Sequence, residues 1–388
     1  MITLLPFFII LVAGILFSLL FARLHLPWVI AMIAAGIAIG PFGLGLFEPD
    51  TTLEFIGQVG LIFLMFMAGL ETRLSSFREF RRGIVIISLL TSTIPAVAGF
   101  AIGQFFGYGF NASLLLGIIF ISSSIAVVLP SLESSGLLTT KLGRTAVAST
   151  VVNDVLSLIL LSIFLQTTQA ITPIPLPLFY VGLIFSLFGL RWAIPKIREI
   201  VHKYGRQGDA FEKEVQAIVV ILLGTVVLFE VLGLHPITAA FFAGLVLSES
   251  IKSIELKKKI HALSYGVFIP VFFVIVGTQT NLGVFVRAGG AFYLTISVVV
   301  LSVATKFLSG FVGAAIAGFG AVQSILVGSA TVPQLSTTLA VVFVARSLSL
   351  LDEQIITSLI ILSVVTTFIG PFVINRAAAK LEKKGLEF

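Results

Sequence analysis

The sequence predicts an all-α polytopic membrane protein with about thirteen spanning helices, and three observations carry that prediction. Of 388 residues, 58% are hydrophobic and 11% charged, with a mean hydropathy of +1.15. A soluble globule has about a quarter of its residues charged, so there is too little polar surface here to cover one. The apolar residues gather in membrane-length runs, and the basic residues fall on alternate connecting loops.

A spanning helix needs about 20 mostly apolar residues. Charge-poor stretches of that kind lie at about 4–22, 27–45, 53–70, 83–105, 112–136, 143–165, 174–194, 215–233, 236–250, 263–280, 289–318, 322–346 and 354–375. The first has neither a basic leader nor a small-residue cleavage site, and is read as a retained helix rather than a signal peptide. The second and ninth are short, their ends blurred by Pro, Gly and small residues.

Lys and Arg concentrate in cytoplasmic loops, which tests the helix count independently. After odd-numbered helices stand Arg23; Arg73, Arg78, Arg81 and Arg82; Lys141 and Arg144; Arg191, Lys196, Arg198, Lys203, Arg206 and Lys213; Lys252, Lys257, Lys258 and Lys259; and Arg376, Lys380, Lys383 and Lys384. These are 21 of the 24 basic residues. The opposite side has Arg287 and Arg346. The expected topology therefore has the N-terminus outside and the C-terminus in the cytoplasm, in a plasma or inner membrane. The same distribution accounts for the net charge of +6 and the pI near 9.6 through contact with anionic inner-leaflet lipid, without nucleic acid as a partner.

The two halves resemble one another. LPWVIAMIAAGIAIG from Leu26 matches HPITAAFFAGLVLSE from His235, and LIFLMFMAGLETRL from Leu61 matches PVFFVIVGTQTNL from Pro270. The Pro27/Pro236 and Gly69/Gly277 pairs stand 209 and 208 residues apart. That offset spans seven helices, an odd number, so the second copy enters the membrane upside down. Residues 1–165 form the first repeat and 215–377 the second, with 174–194 as the linking helix. Inverted repeats mark secondary transporters, with the binding site near the midplane at the repeat interface.

The offset also predicts where helices break. Ser122, Ser123 and Ser124 map near Ala330 to Val332, and each stretch carries a proline, Pro130 and Pro333, within a polar interruption. Pro removes a backbone donor and frees a carbonyl four residues back, while Ser and Thr satisfy exposed backbone groups or offer oxygens to a cation.

Two charges alone lie mid-segment, Asp154 and Lys306. A charge at bilayer depth costs roughly 2.5 kcal/mol or more, and such residues mark ion and proton paths. Asp154 can alternate between a carboxylate that attracts a cation and a neutral acid that has taken a proton, which is sufficient for exchange. A small monovalent cation takes hard oxygen ligands, here Asp154 with Ser123, Thr331, carbonyls and water. Asn153 shares the helical turn and serves to orient Asp154 or bond to a broken helix. Lys306 is either the counter-charge that holds the region together while Asp154 is empty or a second titrating group, and the first reading is preferred.

No P-loop, zinc-ligand motif, nucleophile constellation or dinucleotide fingerprint is present, and four scattered histidines, His25, His202, His235 and His261, form no metal constellation. Enzymatic chemistry, ATP-driven transport and a resident cofactor are therefore not expected. With no cysteine there are no disulfides.

The chain resembles the monovalent cation/proton antiporter superfamily over nearly its whole length, in the branch of NapA-type sodium/proton exchangers and Kef-type membrane domains. The resemblance rests on FLMFMAGLETRL, VVNDVLSLI, FIPVFFVIVGTQTNL and Lys306. It implies an NhaA/NapA-like fold with two crossed broken helices, Asp154 as the carboxylate that binds Na+ or K+ and H+ competitively, and Ser123 nearby. It also implies an ion-binding core of 83–165 plus 289–377, moving against a scaffold of 1–70 plus 215–280 that forms a homodimer. The chain departs from relatives in combining Asn153 with Lys306, and in having Pro333, Gln334, Leu335 and Ser336 where many carry Pro-Arg-Gly-Glu. No nucleotide-binding regulatory domain is expected after the last helix. The rival readings on this fold are a K+/H+ efflux antiporter, a non-exchanging channel-like or receptor protein, and an organic anion symporter.

Overall fold

The computed structural model describes residues 4–23, 27–46, 48–72, 82–168, 210–231, 235–251, 253–283 and 289–383, together with Val181, Gly189 and Trp192. Among them are ten helical segments long and apolar enough to cross a membrane, and two shorter apolar ones, Trp28–Ile39 and Pro236–Ser248. The expected linking helix at 174–194 lies outside the described residues, as do many basic loop residues. Helix is the answer a bilayer demands, because it satisfies every backbone group within its own segment.

The helices are α1 (Leu5–Arg23), α2 (Trp28–Ile39), α3 (Thr51–Glu71), α4 (Arg82–Phe105), α5 (Phe110–Ile121), α6 (Ile125–Ser134), α7 (Lys141–Thr168), α8 (Ala210–Val231), α9 (Pro236–Ser250), α10 (Ile254–Leu263), α11 (Ile269–Thr278), α12 (Gly289–Ile316), α13 (Ala321–Thr331), α14 (Ser336–Ser347) and α15 (Glu353–Lys383). Helices α5 and α6 are two halves of one span, as are α13 and α14, and a π-helical turn, Ser264–Phe268, joins α10 to α11.

Several boundaries differ from the sequence reading, the two clearest at the tenth span and the last helix. The tenth span starts at Ile254 rather than near 263, because Ser253 caps the charged run IELKKKIHAL, its hydroxyl accepting from the Leu256 amide at 3.2 Å. The last helix continues to Lys383 rather than stopping near 375. In both cases the helix outlasts the apolar stretch, and hydropathy reports only the latter.

The chain divides into two compact units. The first comprises Met1–Asp50, Ser76–Leu161 and Phe273–Phe388. Within it α4 lies against α5 and α12, and α12 against α13 and α15. Glycines allow the close approaches: a Cβ on Gly36 of α2 would meet the Val274 carbonyl and the Gly277 Cα of α11 at under 3 Å, and one on Gly277 would meet the Ile33 carbonyl.

The second unit comprises Thr51–Ser75 and Ser162–Phe272. Here α3 lies along α9, and a Cβ on Gly69 or Gly244 would strike the opposite backbone at the Phe241 or Phe66 carbonyl. Phe63 stacks on Phe268 with centroids 4.8 Å apart. Gly36 and Gly244 are 208 residues apart, as are Gly69 and Gly277. A glycine-lined close approach of two helices thus occurs in each unit, at positions 208 residues apart in sequence.

Candidate functional site

Both predicted interruptions are present in the first unit. The backbone leaves helical geometry at Ser122–Ser124 between α5 and α6, and at Val332–Leu335 between α13 and α14. The two breaks are bonded together: the Ser124 amide donates to the Pro333 carbonyl at 2.7 Å, the Ser123 hydroxyl to the Thr331 carbonyl at 3.1 Å, and the Ser122 and Thr338 hydroxyls lie 2.8 Å apart. Broken helices leave backbone groups that water cannot reach, and here each break supplies partners for the other. Pro333 lies in its break, whereas Pro130 lies six residues beyond the other, inside α6. The run of three serines, and not Pro130, marks that interruption.

Lys306, fully buried in α12, closes the end of α5. Its ammonium donates to the Ile121 carbonyl at 2.6 Å, to the Ser122 carbonyl at 2.5 Å and to the Ser123 hydroxyl at 2.6 Å. All three of its protons are used. The last carbonyls of a helix have no intrahelical partner and carry partial negative charge, so a cation at this point answers both deficits. Gln334 adds to the same end, its Nε2 donating to the Phe120 carbonyl at 3.2 Å. Thr331, expected at the site, instead donates its hydroxyl to the carbonyls of Lys306 and Gly328, at 3.0 and 2.8 Å.

Asp154 is 1% exposed on α7, and neither carboxylate oxygen has a hydrogen-bond partner. Its neighbours are the Thr337 hydroxyl, the Ser123 backbone and the Lys306 ammonium. None closes a bond to it, and no ion pair joins Asp154 to Lys306 among the described residues. A buried acceptor without a partner is uncommon and needs a reason. Asn153, beside it in sequence, faces α4 instead: its Nδ2 donates to the Thr91 hydroxyl at 2.8 Å, and its Oδ1 accepts from Ser92 at 3.0 Å.

Of the site residues named from sequence, Asn153 and Pro130 lie apart from the site, the one bonded to α4 and the other inside α6, and the others gather at it. Ser122, Ser123, Ser124, Pro333 and Thr331 form the crossing, Lys306 and Ser123 seal the end of α5, and Asp154 stands free beside them. Sequence reasoning did not single out Thr337, Thr338, Thr91 or Ser92. The hydroxyl-rich run Ser336, Thr337, Thr338 directly after Pro333 was the available signal for the first two. Chemically, a carboxylate with open lone pairs and a hydroxyl beside it are hard oxygen donors suited to an alkali cation or a proton.

Comparison with known proteins identifies the family and the fold. The family model of the transmembrane sodium/hydrogen exchanger matches residues 7–380. The chain is 33% identical to a probable Na+/H+ antiporter 3 of Methanocaldococcus jannaschii, over 97% of each chain. It is 29% identical to the Na+/H+-K+ antiporter GerN of Bacillus cereus, over 90% of this chain and 89% of that one. Among solved structures, the sodium proton antiporter MjNhaP1 of M. jannaschii at pH 8 shares the fold, with a TM-score of 0.72 at 18% identity over 96% of each chain. A chain matched from residue 7 to residue 380 and related along its whole length to such a protein belongs to the transmembrane sodium/hydrogen exchanger family, and so is a transporter and not an enzyme.

Proposed function

We propose that the protein is a secondary active antiporter exchanging Na+ (or K+) for H+ by alternating access, with Asp154 binding cation and proton in turn. The observation that carries this reading is the Asp154 carboxylate, buried at the crossing of two broken helices with both oxygens unpartnered. A charged carboxylate without partners is costly to keep in a dry interior. Binding a cation or a proton relieves that cost, and the two compete for the same lone pairs. The carboxylate is thus never stably empty, and coupling follows because one ion leaves only as the other arrives.

The same reading makes residues 83–165 and 289–377 the ion-carrying core, and residues 1–70 and 215–280 a scaffold through which two copies pair. The bias of Lys and Arg supports an N-terminus outside and a C-terminus in the cytoplasm of a plasma membrane. The names of the relatives support Na+ and K+ as cargo.

The test is exchange in proteoliposomes with Na+, Li+ and K+ at several pH values and a clamped membrane potential. Wild type is expected to move protons in response to cation, and Asp154→Asn is expected to lose this. Full exchange by Asp154→Asn would sink the proposal.

A further inference from the structure

We infer that the Thr337 hydroxyl is a direct ligand of the transported cation, completing the Asp154 site from the first turn of α14. The inference rests on the antiport reading above and deepens it by naming a second ligand. Thr337 is 2% exposed and its Oγ1 has no hydrogen-bond partner, yet it neighbours the equally unpartnered Asp154 carboxylate. Three open oxygens therefore share one buried locale.

Thr238 and Thr357 share with Thr337 an unpartnered hydroxyl but do not neighbour Asp154 in the same way. Several buried threonines elsewhere in this protein give their proton to the carbonyl four residues earlier: Thr91 to Ile87 at 2.7 Å, Thr150 to Ala146 at 3.0 Å, Thr366 to Leu362 at 2.8 Å and Thr367 to Ser363 at 2.7 Å. For Thr337 that carbonyl belongs to Pro333, which precedes α14 and already accepts from the Ser124 amide across the crossing. The next residue, Thr338, is also tied across the crossing, to Ser122. At the helix break the Pro333 carbonyl is engaged by the crossing, and the Thr337 hydroxyl makes no bond to it. A hydroxyl left so is an acceptor for a cation and a donor to a carboxylate, and it can exchange one role for the other as the ion leaves.

The ligand class is a monovalent alkali cation, for which neutral hydroxyl and carbonyl oxygens beside a single carboxylate are a fitting set. The test compares Thr337→Val, which keeps the branched shape without the oxygen, with Thr337→Ser, which keeps the oxygen. In proteoliposomes the valine variant is expected to raise the apparent KM for Na+ by roughly fivefold to tenfold, the size of one neutral polar contact. The serine variant is expected to stay within about twofold of wild type.

A second readout uses purified protein in detergent. Na+ is expected to raise the unfolding temperature of wild type and of Thr337→Ser, and to raise that of Thr337→Val less at equal concentration. If the valine variant does not fold, Thr337→Ala is read in the same way. An unchanged KM and an unchanged Na+-induced shift in the valine variant would overturn the inference, as would a lower rate with both unaltered. If Asp154→Asn is inactive in that outcome, the antiport reading survives and only the role of Thr337 falls. If Asp154→Asn exchanges normally, it is the antiport reading that fails.

Discussion

Ser123 and Thr331 are 208 residues apart in sequence and joined by a 3.1 Å hydrogen bond from the Ser123 hydroxyl to the Thr331 carbonyl. The same offset relates Gly36 to Gly244 and Gly69 to Gly277, so Ser123 and Thr331 are equivalents in the two repeats. In a twofold arrangement, equivalent residues meet only beside the axis, and the crossing of the broken helices is therefore where the internal symmetry is centred. The charges do not obey that symmetry. At the same offset Asp154 corresponds to Leu362 and Lys306 to Ala98. A symmetric frame supplies the breaks, and each repeat fills one side of the crossing with one charge of its own.

Lys306 is expected to be the strongest single determinant of stability at the crossing. Lys306→Met leaves two helix-end carbonyls and the Ser123 hydroxyl without their donor, and each abandoned buried group costs about 1–3 kcal/mol. A large fall in the unfolding temperature in detergent is expected, with partial recovery in Lys306→Arg. An unfolding temperature for Lys306→Met close to that of wild type would mean that water or another residue seals α5 instead.

Asn153 is expected to behave as a brace between α7 and α4 rather than as an ion ligand. Asn153→Ala and Thr91→Val each break the 2.8 Å bond between them, and residues in one hydrogen-bonded network couple by about 0.5–3 kcal/mol. A double-mutant cycle on unfolding should therefore be non-additive. The apparent cation KM should move far less in either single variant than in Thr337→Val. A KM shift in Asn153→Ala that Thr91→Val does not reproduce would return Asn153 to the ion.

The glycine seams allow a direct comparison. A methyl group added at Gly36 or Gly244 meets backbone atoms of the opposing helix at under 3 Å, and one added at Gly224 meets nothing within 4 Å. Overpacking costs about 1–3 kcal/mol, whereas removing an exposed helical glycine gains up to about 1 kcal/mol. Gly36→Ala and Gly244→Ala should lower the unfolding temperature, and Gly224→Ala should leave it equal or higher. Equal effects at the three positions would contradict the close approach.

Much of this was legible in the chain because bilayer thickness and backbone satisfaction leave few choices. Spans, repeat and breaks all leave marks in composition: absent charge, a repeated Gly and Pro spacing, a polar run in an apolar segment. Asp154 stood out for the same reason. What was not legible depends on which atom meets which. Lys306 reads as a partner for Asp154 because the two charges are opposite, yet its three protons go to the end of α5. Thr331 was the residue expected as a ligand, and only the hydrogen bonds of the folded chain set it apart from Thr337. The hydroxyl of Thr331 reaches the Gly328 and Lys306 carbonyls, whereas that of Thr337 has no partner.

The arrangement of the two charges also fixes how exchange should depend on pH. If proton and cation compete for Asp154 alone, the apparent KM for Na+ is flat on the alkaline side. On the acid side it rises about tenfold per pH unit, because each protonated site must lose one proton before it binds a cation. Lys306 is the charged group whose field acts on Asp154, and its ammonium protons are committed to Ile121, Ser122 and Ser123. Releasing one would unseal the helix end, so Lys306 should add no second proton to the competition. Initial rates of Na+-driven proton movement across a series of pH values measure the slope. A limiting slope near two on logarithmic axes would show that Lys306 titrates along with Asp154, and that its role as a fixed seal is wrong.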